Sequence, residues 1–188
     1  MKTLTLFFFF VFTCSLTSNA QITKGHWMVG GDANFNFSKT KNTSSNGFVA
    51  TNKVANFRIT PDIGYLLYDK FTIGLSPFLA FSNPEGANNN STSYGIGPFV
   101  RYYFLKTDNI INLFAHTGYF YAHTKNPSDN GNSSSFELKA GPVIYFNSSV
   151  GLELTLGYKK DNLNTSSGSK GEFNTLSFNI GFQIHLEK

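Results

Sequence analysis

Cysteine is almost absent from this chain. The one cysteine, Cys14, lies close to the N-terminus, so neither a disulfide framework nor a multi-cysteine metal site is available. Charge is sparse as well: Asp, Glu, Lys and Arg make up 14% of the residues and leave a formal net charge of +4. So mild an excess gives no basis for a nucleic-acid partner when no helix-turn-helix, zinc-finger or RNA-binding signature accompanies it. Long apolar runs are missing after Ala20. Nothing there approaches the roughly 20 consecutive apolar residues of a membrane helix, which excludes a helical membrane protein.

The apolar run that does occur is short and comes first. Lys2 gives a positive start, Leu4 to Phe12 contains four consecutive phenylalanines, and Ser18-Asn19-Ala20 supplies small residues before Gln21. Residues 1–20 therefore read as a cleaved secretory signal peptide, too short to span a bilayer as a helix. Lipoprotein processing before Cys14 is disfavoured by the bulky Thr13 ahead of it. Cleavage after Ala20 removes the only thiol and leaves residues 21–188 as one domain.

Periodicity of two runs through that domain. Trp27, Val29, Ala33, Phe35 and Phe37 alternate with His26, Asp32, Asn34 and Asn36; Phe57, Ile59, Ile63, Tyr65 and Leu67 alternate with Arg58, Thr60, Asp62 and Gly64. The third segment sets Phe71, Ile73, Leu75, Leu79 and Phe81 against Thr72, Gly74, Ser76 and Ser82. In the fourth, Tyr94, Ile96, Pro98, Val100, Tyr102 and Phe104 oppose Gly95, Gly97, Phe99, Arg101 and Tyr103. Leu113, Ala115, Tyr119 and Tyr121 against His116, Gly118 and Ala122 make the fifth, and Phe136, Leu138, Ala140, Ile144 and Phe146 against Glu137, Lys139 and Gly141 the sixth. The seventh places Val150, Leu152, Leu154, Leu156 and Tyr158 opposite Gly151, Glu153, Thr155, Gly157 and Lys159. The eighth places Leu176, Phe178, Ile180, Phe182, Ile184 and Leu186 opposite Ser177, Asn179, Gly181, Gln183 and His185.

Connections alternate too. Long polar segments, 39–55, 83–92, 124–133 and 160–172, follow the odd strands, and short ones at Asp69-Lys70, 106–109 and 147–149 follow the even strands. Short turns at one end and long loops at the other are the layout of an all-β, eight-stranded, antiparallel up-and-down transmembrane barrel with both termini on the turn side, in the periplasm. A soluble barrel with its apolar face lining a ligand cavity has the same alternation. Glycine argues against it: Gly64, Gly74, Gly95, Gly97, Gly118, Gly141, Gly151, Gly157 and Gly181 share the polar parity, where a water-facing strand favours Thr, Lys or Glu and a narrow lumen needs small residues. Aromatics also bracket the apolar face at two levels. Tyr65, Phe71, Tyr102, Phe104 and Phe146 lie near the turns, and Phe37, Phe81, Tyr94, Tyr121, Phe136 and Tyr158 near the loops, as two membrane interfaces require.

The segments "TPDIGYLLYDKFTIGLSPFLAF", "GIGPFVRYYF" and "AGPVIYFNSSVGLELTLGY" resemble the outer-membrane protein β-barrel domain family of Gram-negative bacteria, similar in size to the OmpA and OmpX type, over nearly the whole of residues 21–188. The resemblance implies a location in the cell outer membrane and insertion by the outer-membrane assembly machinery. One departure concerns that machinery: such chains usually end on an aromatic residue, whereas this one ends His185-Leu186-Glu187-Lys188, with Phe182 the nearest substitute. Pro61, Pro77, Pro98 and Pro142 each remove a ladder donor in a barrel without edges, and bulges are one way to accommodate them.

Inside such a barrel the polar parity faces the lumen, so Arg58 and Arg101 are expected to be neutralised there by Asp32, Asp62, Glu137 and Glu153. This network reads either as a plug or, alternatively, as the constriction of a small-solute channel; eight strands leave just enough room for side chains. His26 and His185 should meet near the turn-side mouth as hydrogen-bonded lumen residues. Two imidazoles without a third ligand make no metal site. His123 and Ser134, on the lipid-facing parity, are the nearest approach to a nucleophile and base of a lipid-modifying enzyme, but no carboxylate orients the imidazole and no catalysis is expected. Asn-x-Ser/Thr matches at Asn42, Asn90, Asn132 and Asn164 follow from loops dense in Asn, Ser and Thr. Lys39, Lys41, Lys53, Lys125, Lys159, Lys160 and Lys170 outnumber Glu85, Asp129, Asp161 and Glu172, which suggests a basic rim facing outer-membrane lipid, including lipopolysaccharide phosphates. A monomer of structural or surface-interaction type, without cofactor, is the function expected.

Overall fold

Eight antiparallel strands, each paired with its neighbour in the chain, form a barrel that the last closes against the first. The computed structural model describes residues 22–43, 49–85, 90–125, 127, 130–165 and 170–186. The expected leader, with Cys14, lies outside them. The strands are β1 (Trp27–Thr43), β2 (Val49–Tyr68), β3 (Phe71–Pro84), β4 (Ser91–Tyr103), β5 (Ile111–Lys125), β6 (Gly131–Tyr145), β7 (Val150–Thr165) and β8 (Lys170–Leu186).

Alternation decides which face of each strand goes where. Arg101, Asp62, His116, Glu153, Gln183 and His185 are buried within the barrel, while Ile73, Leu75, Ile96, Leu113, Leu138 and Leu156 stand exposed on its outer wall. A soluble ligand-binding barrel would have these faces exchanged. An apolar wall around a polar interior is stable where the surrounding solvent is hydrocarbon. Aromatic side chains ring both ends of the wall, and Trp27 packs edge-on against Tyr65 with ring centroids 5.2 Å apart at the turn side.

The loops are shorter than the polar composition suggests. Lys39–Thr43 and Val49–Ala55 remain in register as a hairpin, and β7 and β8 stay paired up to Asn164 and Lys170. Polar residues end the apolar wall there, but the antiparallel ladder continues beyond it, since backbone pairing does not depend on which solvent the side chains meet. At the opposite end Asp69 and Lys70 form a two-residue turn, with Lys70 at φ 67°, the left-handed conformation that tight hairpins demand.

Interrupted ladders, rather than bulges, accommodate the four strand prolines. Pairing of β2 with β3 lapses between Ile59/Leu79 and Ile63/Leu75 around Pro61 and Pro77, and resumes in the same register. The same holds between Ile96/Tyr121 and Phe99/Gly118 beside Pro98 and between Ala140/Leu156 and Val143/Glu153 beside Pro142. Each proline keeps the ladder on its other side, as Gly31/Pro61, Pro77/Ile96, Leu75/Pro98 and Leu113/Pro142. One missing N–H thus costs one ladder locally and shifts nothing. The register shift in this pair of strands falls elsewhere, between Leu66 and Tyr68.

Closure is incomplete in height. β1 and β8 pair from Trp27/Leu186 to Asp32/Gly181, and no ladder pair joins Ala33–Thr43 to Lys170–Ile180 beyond that point. Gly31, one residue before the last pair, has φ 131°, and an added Cβ there would fall 2.2 Å from the Thr60 carbonyl oxygen. Only glycine fits. On the loop side the barrel wall therefore opens along one seam.

Candidate functional site: the barrel lumen

The lumen is filled in layers from the turn side upward. At the bottom, the segment preceding β1 folds across the mouth: Gly25 N donates to Leu66 O (2.9 Å), Leu66 N to His26 O (3.0 Å) and Lys70 N to Ile22 O (3.2 Å), while Lys24 N donates to Asp69 Oδ1 (2.8 Å). These bonds hold Ile22 in the lumen with no exposed surface, packed among Met28, Leu66, Phe99, Tyr103, Phe114, Val143 and Tyr145. Sequence periodicity missed this cork, because Ile22 precedes the first strand and belongs to no alternating pattern.

Directly above lies the Arg101 cluster. Arg101 is 1% exposed; its Nη1 donates to Glu153 Oε1 (2.5 Å) and Gln183 Oε1 (2.9 Å), and its Nη2 to Asp62 Oδ2 (3.1 Å). Ser76 Oγ donates to the other Asp62 oxygen at 2.5 Å. Tyr103 OH donates to Gln183 Oε1 (2.6 Å) and Gln183 Nε2 to Tyr145 OH (2.5 Å). Rings close the remaining space: the guanidinium lies 4.4 Å over the Phe114 ring, and Phe99 stacks on His116 at 4.7 Å. Five strands, β2, β4, β5, β7 and β8, thus meet around one cation.

A second ion cluster stands higher and uses a residue that the alternation had placed on the lumen face without assigning it a role. Lys139 Nζ lies 3.1 Å from Asp32 Oδ2 and 2.9 Å from Glu137 Oε1. Asp32 and Glu137 thus make their contact ion pairs with Lys139. Arg58 has no carboxylate within ion-pair distance among the described residues, and Glu137, Asp32 and Asp161 act on it only through space. Its Nε donates to Thr60 Oγ1 at 3.2 Å, its guanidinium lies 3.8 Å over the Phe78 ring, and its Nη2 is buried without a hydrogen-bond partner. Shared parity was visible in the sequence; the height of each residue in the lumen was not.

Above Phe78 and Phe120 the lumen widens into a polar cavity of about 450 Å³, bordered by Asp32, Asn34, Asn36, Arg58, Glu137, Lys159, Asp161 and Asn179 among others. Lys159 points into this cavity and pairs with Asp161 at 2.7 Å, so it is removed from the outer rim where the loop charge count had put it. Lys53 pairs with Glu85 and Lys160 with Glu172, both at 2.8 Å. Lys39, Lys125 and Lys170 are exposed at the loop side. The Lys41 side chain and Asp129 lie outside the described residues.

The histidines are each engaged locally. His26 Nδ1 lies 3.0 Å from Thr23 Oγ1, and His185 Nε2 lies 3.3 Å from Tyr145 OH within the lumen. Among the described residues no group of three or more His, Cys, Asp and Glu side chains gathers in a way that would hold a metal ion. On the outer wall His123 Nδ1 meets Asn132 Oδ1 at 2.8 Å, its partner across the ladder, whereas Ser134 pairs with Tyr121. The His123–Ser134 pairing considered from the sequence is not formed.

A polar interior, an apolar girdle with aromatic rims and an eight-stranded antiparallel wall define the fold of a small outer-membrane β-barrel. Among solved structures the chain is similar to the outer membrane protein OprG from Pseudomonas aeruginosa, at 14% identity over 92% of this chain and 100% of that one, with a TM-score of 0.58. It is similar also to Neisserial surface protein A, at 12% identity over 86% of this chain and 97% of that one, with a TM-score of 0.54. Likeness at these identities shows the fold. No protein-family model matches the chain, and no curated protein matches it in sequence.

Proposed function

We propose that this protein is an integral barrel of the Gram-negative outer membrane with a structural or surface-interaction role, and that its lumen is a plug rather than a pore. The observation that carries the reading is the double seal on the turn side, where the Arg101 cluster rests on the apolar layer closed by Ile22. An ion crossing this stretch would have to displace an arginine held by two carboxylates and then pass through packed side chains. Loop-side lysines Lys39, Lys125 and Lys170 suit contact with lipopolysaccharide phosphates. The barrel acts as a monomer inserted by the assembly machinery, and His123, engaged by Asn132, performs no catalysis.

Planar-bilayer recording tests the plug. Silence of the purified, folded protein is the expected result. Stepwise currents whose size changes in Arg101→Ala would establish a small-solute channel instead.

A further inference from the structure

The β1/β8 ladder stops at Asp32/Gly181 although both strands go on. From Trp27/Leu186 to Asp32/Gly181 the pairs advance one for one. The same count carried upward sets Ala33 against Ile180, Asn34 against Asn179, Phe35 against Phe178, Asn36 against Ser177 and Phe37 against Leu176. It ends on Thr43 and Lys170, the last residue of β1 and the first of β8, so the two free edges are equal in length. They are matched in kind as well. Asn34, Asn36, Ser177 and Asn179 line the polar cavity, while Phe35, Phe37, Leu176, Phe178 and Ile180 are exposed on the outer wall. A register shifted by one would set every lumen residue against an outward one.

The surrounding solvent decides what such edges do. Every second residue of an antiparallel strand turns its N–H and C=O toward the neighbouring strand. Along 33–37 and 176–180 these groups have no ladder partner across the seam, and they stand at the height of the outward Phe35 and Phe178. Hydrocarbon offers them no hydrogen bond, and each one left unpaired there is costly. Gly30, Gly31 and Gly181 gather where the ladder stops, and residues without a Cβ turn most freely. Leu176 and Phe178 border the cavity together with Ser177 and Asn179, so its boundary runs past the free edge of β8.

We propose that these edges are the two halves of a zip. In the bilayer Ala33–Thr43 and Lys170–Ile180 pair in the register of the ladder below and close the side of the cavity; the structure shows the parted form. This rests on the wall standing in hydrocarbon, which Leu75→Arg in liposomes reports separately.

The test is disulfide formation in outer membranes, with Cys14→Ser as the background and copper phenanthroline as the oxidant. Opposite Cβ atoms in a ladder stand about 4.5–5.5 Å apart and diagonal ones about 7–8 Å, so only cysteines in register come close enough to bond. Hydrogen-bonded and non-hydrogen-bonded pairs alternate along a ladder, and Asn36→Cys/Ser177→Cys and Phe35→Cys/Phe178→Cys sample both kinds. At least one of them is expected to close about tenfold faster than its diagonal control, Asn36→Cys/Asn179→Cys or Phe35→Cys/Ile180→Cys. The unheated gel band of the reduced sample shows that each variant has folded, and one pair serves where the other has not. Equal rates in register and on the diagonal would mean edges without a register, and no disulfide in any folded variant would mean a seam that stays parted. Either result overturns the proposal.

Discussion

Arg101 of β4 reaches across the lumen to Glu153 of β7, with Nη1 2.5 Å from Oε1. These strands are not neighbours in the wall, so the bond ties together opposite parts of the barrel that no backbone ladder joins. Removing the arginine alone leaves Asp62 and Glu153 buried without a counter-charge, a loss of about 3–5 kcal/mol. Arg101→Met should therefore lower markedly the urea midpoint of the folded form, read as the unheated gel band. Adding Asp62→Asn and Glu153→Gln should recover most of the loss, because a neutral interior has no charge to compensate. A triple variant as unstable as the single would refute the ion-pair account.

Ile22 is a second seal of a different kind. Truncating a fully buried isoleucine costs about 2–5 kcal/mol, and Ile22→Ala should unfold at lower urea by that amount. A thiol placed there should also be hidden: Ile22→Cys is expected to resist a membrane-impermeant maleimide in the folded barrel and to react fully once boiled in detergent. Rapid labelling of the folded protein would show that the segment before β1 does not cork the mouth.

Gly64 and Gly74 face each other across β2 and β3 and leave a slot for the Phe99 ring. A Cβ at Gly74 would lie 2.2 Å from the Ile63 carbonyl oxygen and 2.5 Å from Phe99 Cε1, and the ring cannot retreat easily because it stacks on His116. Gly74→Ala should destabilise the barrel by about 1–3 kcal/mol, the range for overpacking. Unchanged stability in urea titrations would mean that the slot has slack.

The outer wall should respond to charge as a lipid-facing surface does. Leu75, half exposed on β3, becomes a buried charge in hydrocarbon when changed to arginine, at about 2–4 kcal/mol near the midplane. Leu75→Arg should therefore fold into liposomes with lower stability than the wild type. On a water-facing surface the same change would be within about 0.5 kcal/mol of neutral, so the comparison separates the two solvents directly.

Much of the fold was legible because side-chain direction in a strand depends only on parity. Arg101, Asp62 and Glu153 could be placed on one face from the sequence, as could the outward Leu75, Ile96 and Phe182. The loop lengths were less legible: Lys39–Thr43 and Val49–Ala55 look like loop by composition but pair by backbone. Lys139 shared the lumen parity and still escaped notice as a counter-ion, since nothing local says that it stands level with Asp32 and Glu137.

What the sequence determined by itself is the alternation, and with it the number of strands, their up-and-down order and the choice of inside and outside. The tertiary structure alone decided who meets whom. Partners across a barrel are fixed by the stagger of the strands around it, a cumulative property of all eight registers that no short stretch encodes. That stagger brings Arg101 to Glu153, gives Asp32 and Glu137 to Lys139, leaves Arg58 without a contact ion pair among the described residues, and ends the β1/β8 ladder at Asp32 and Gly181.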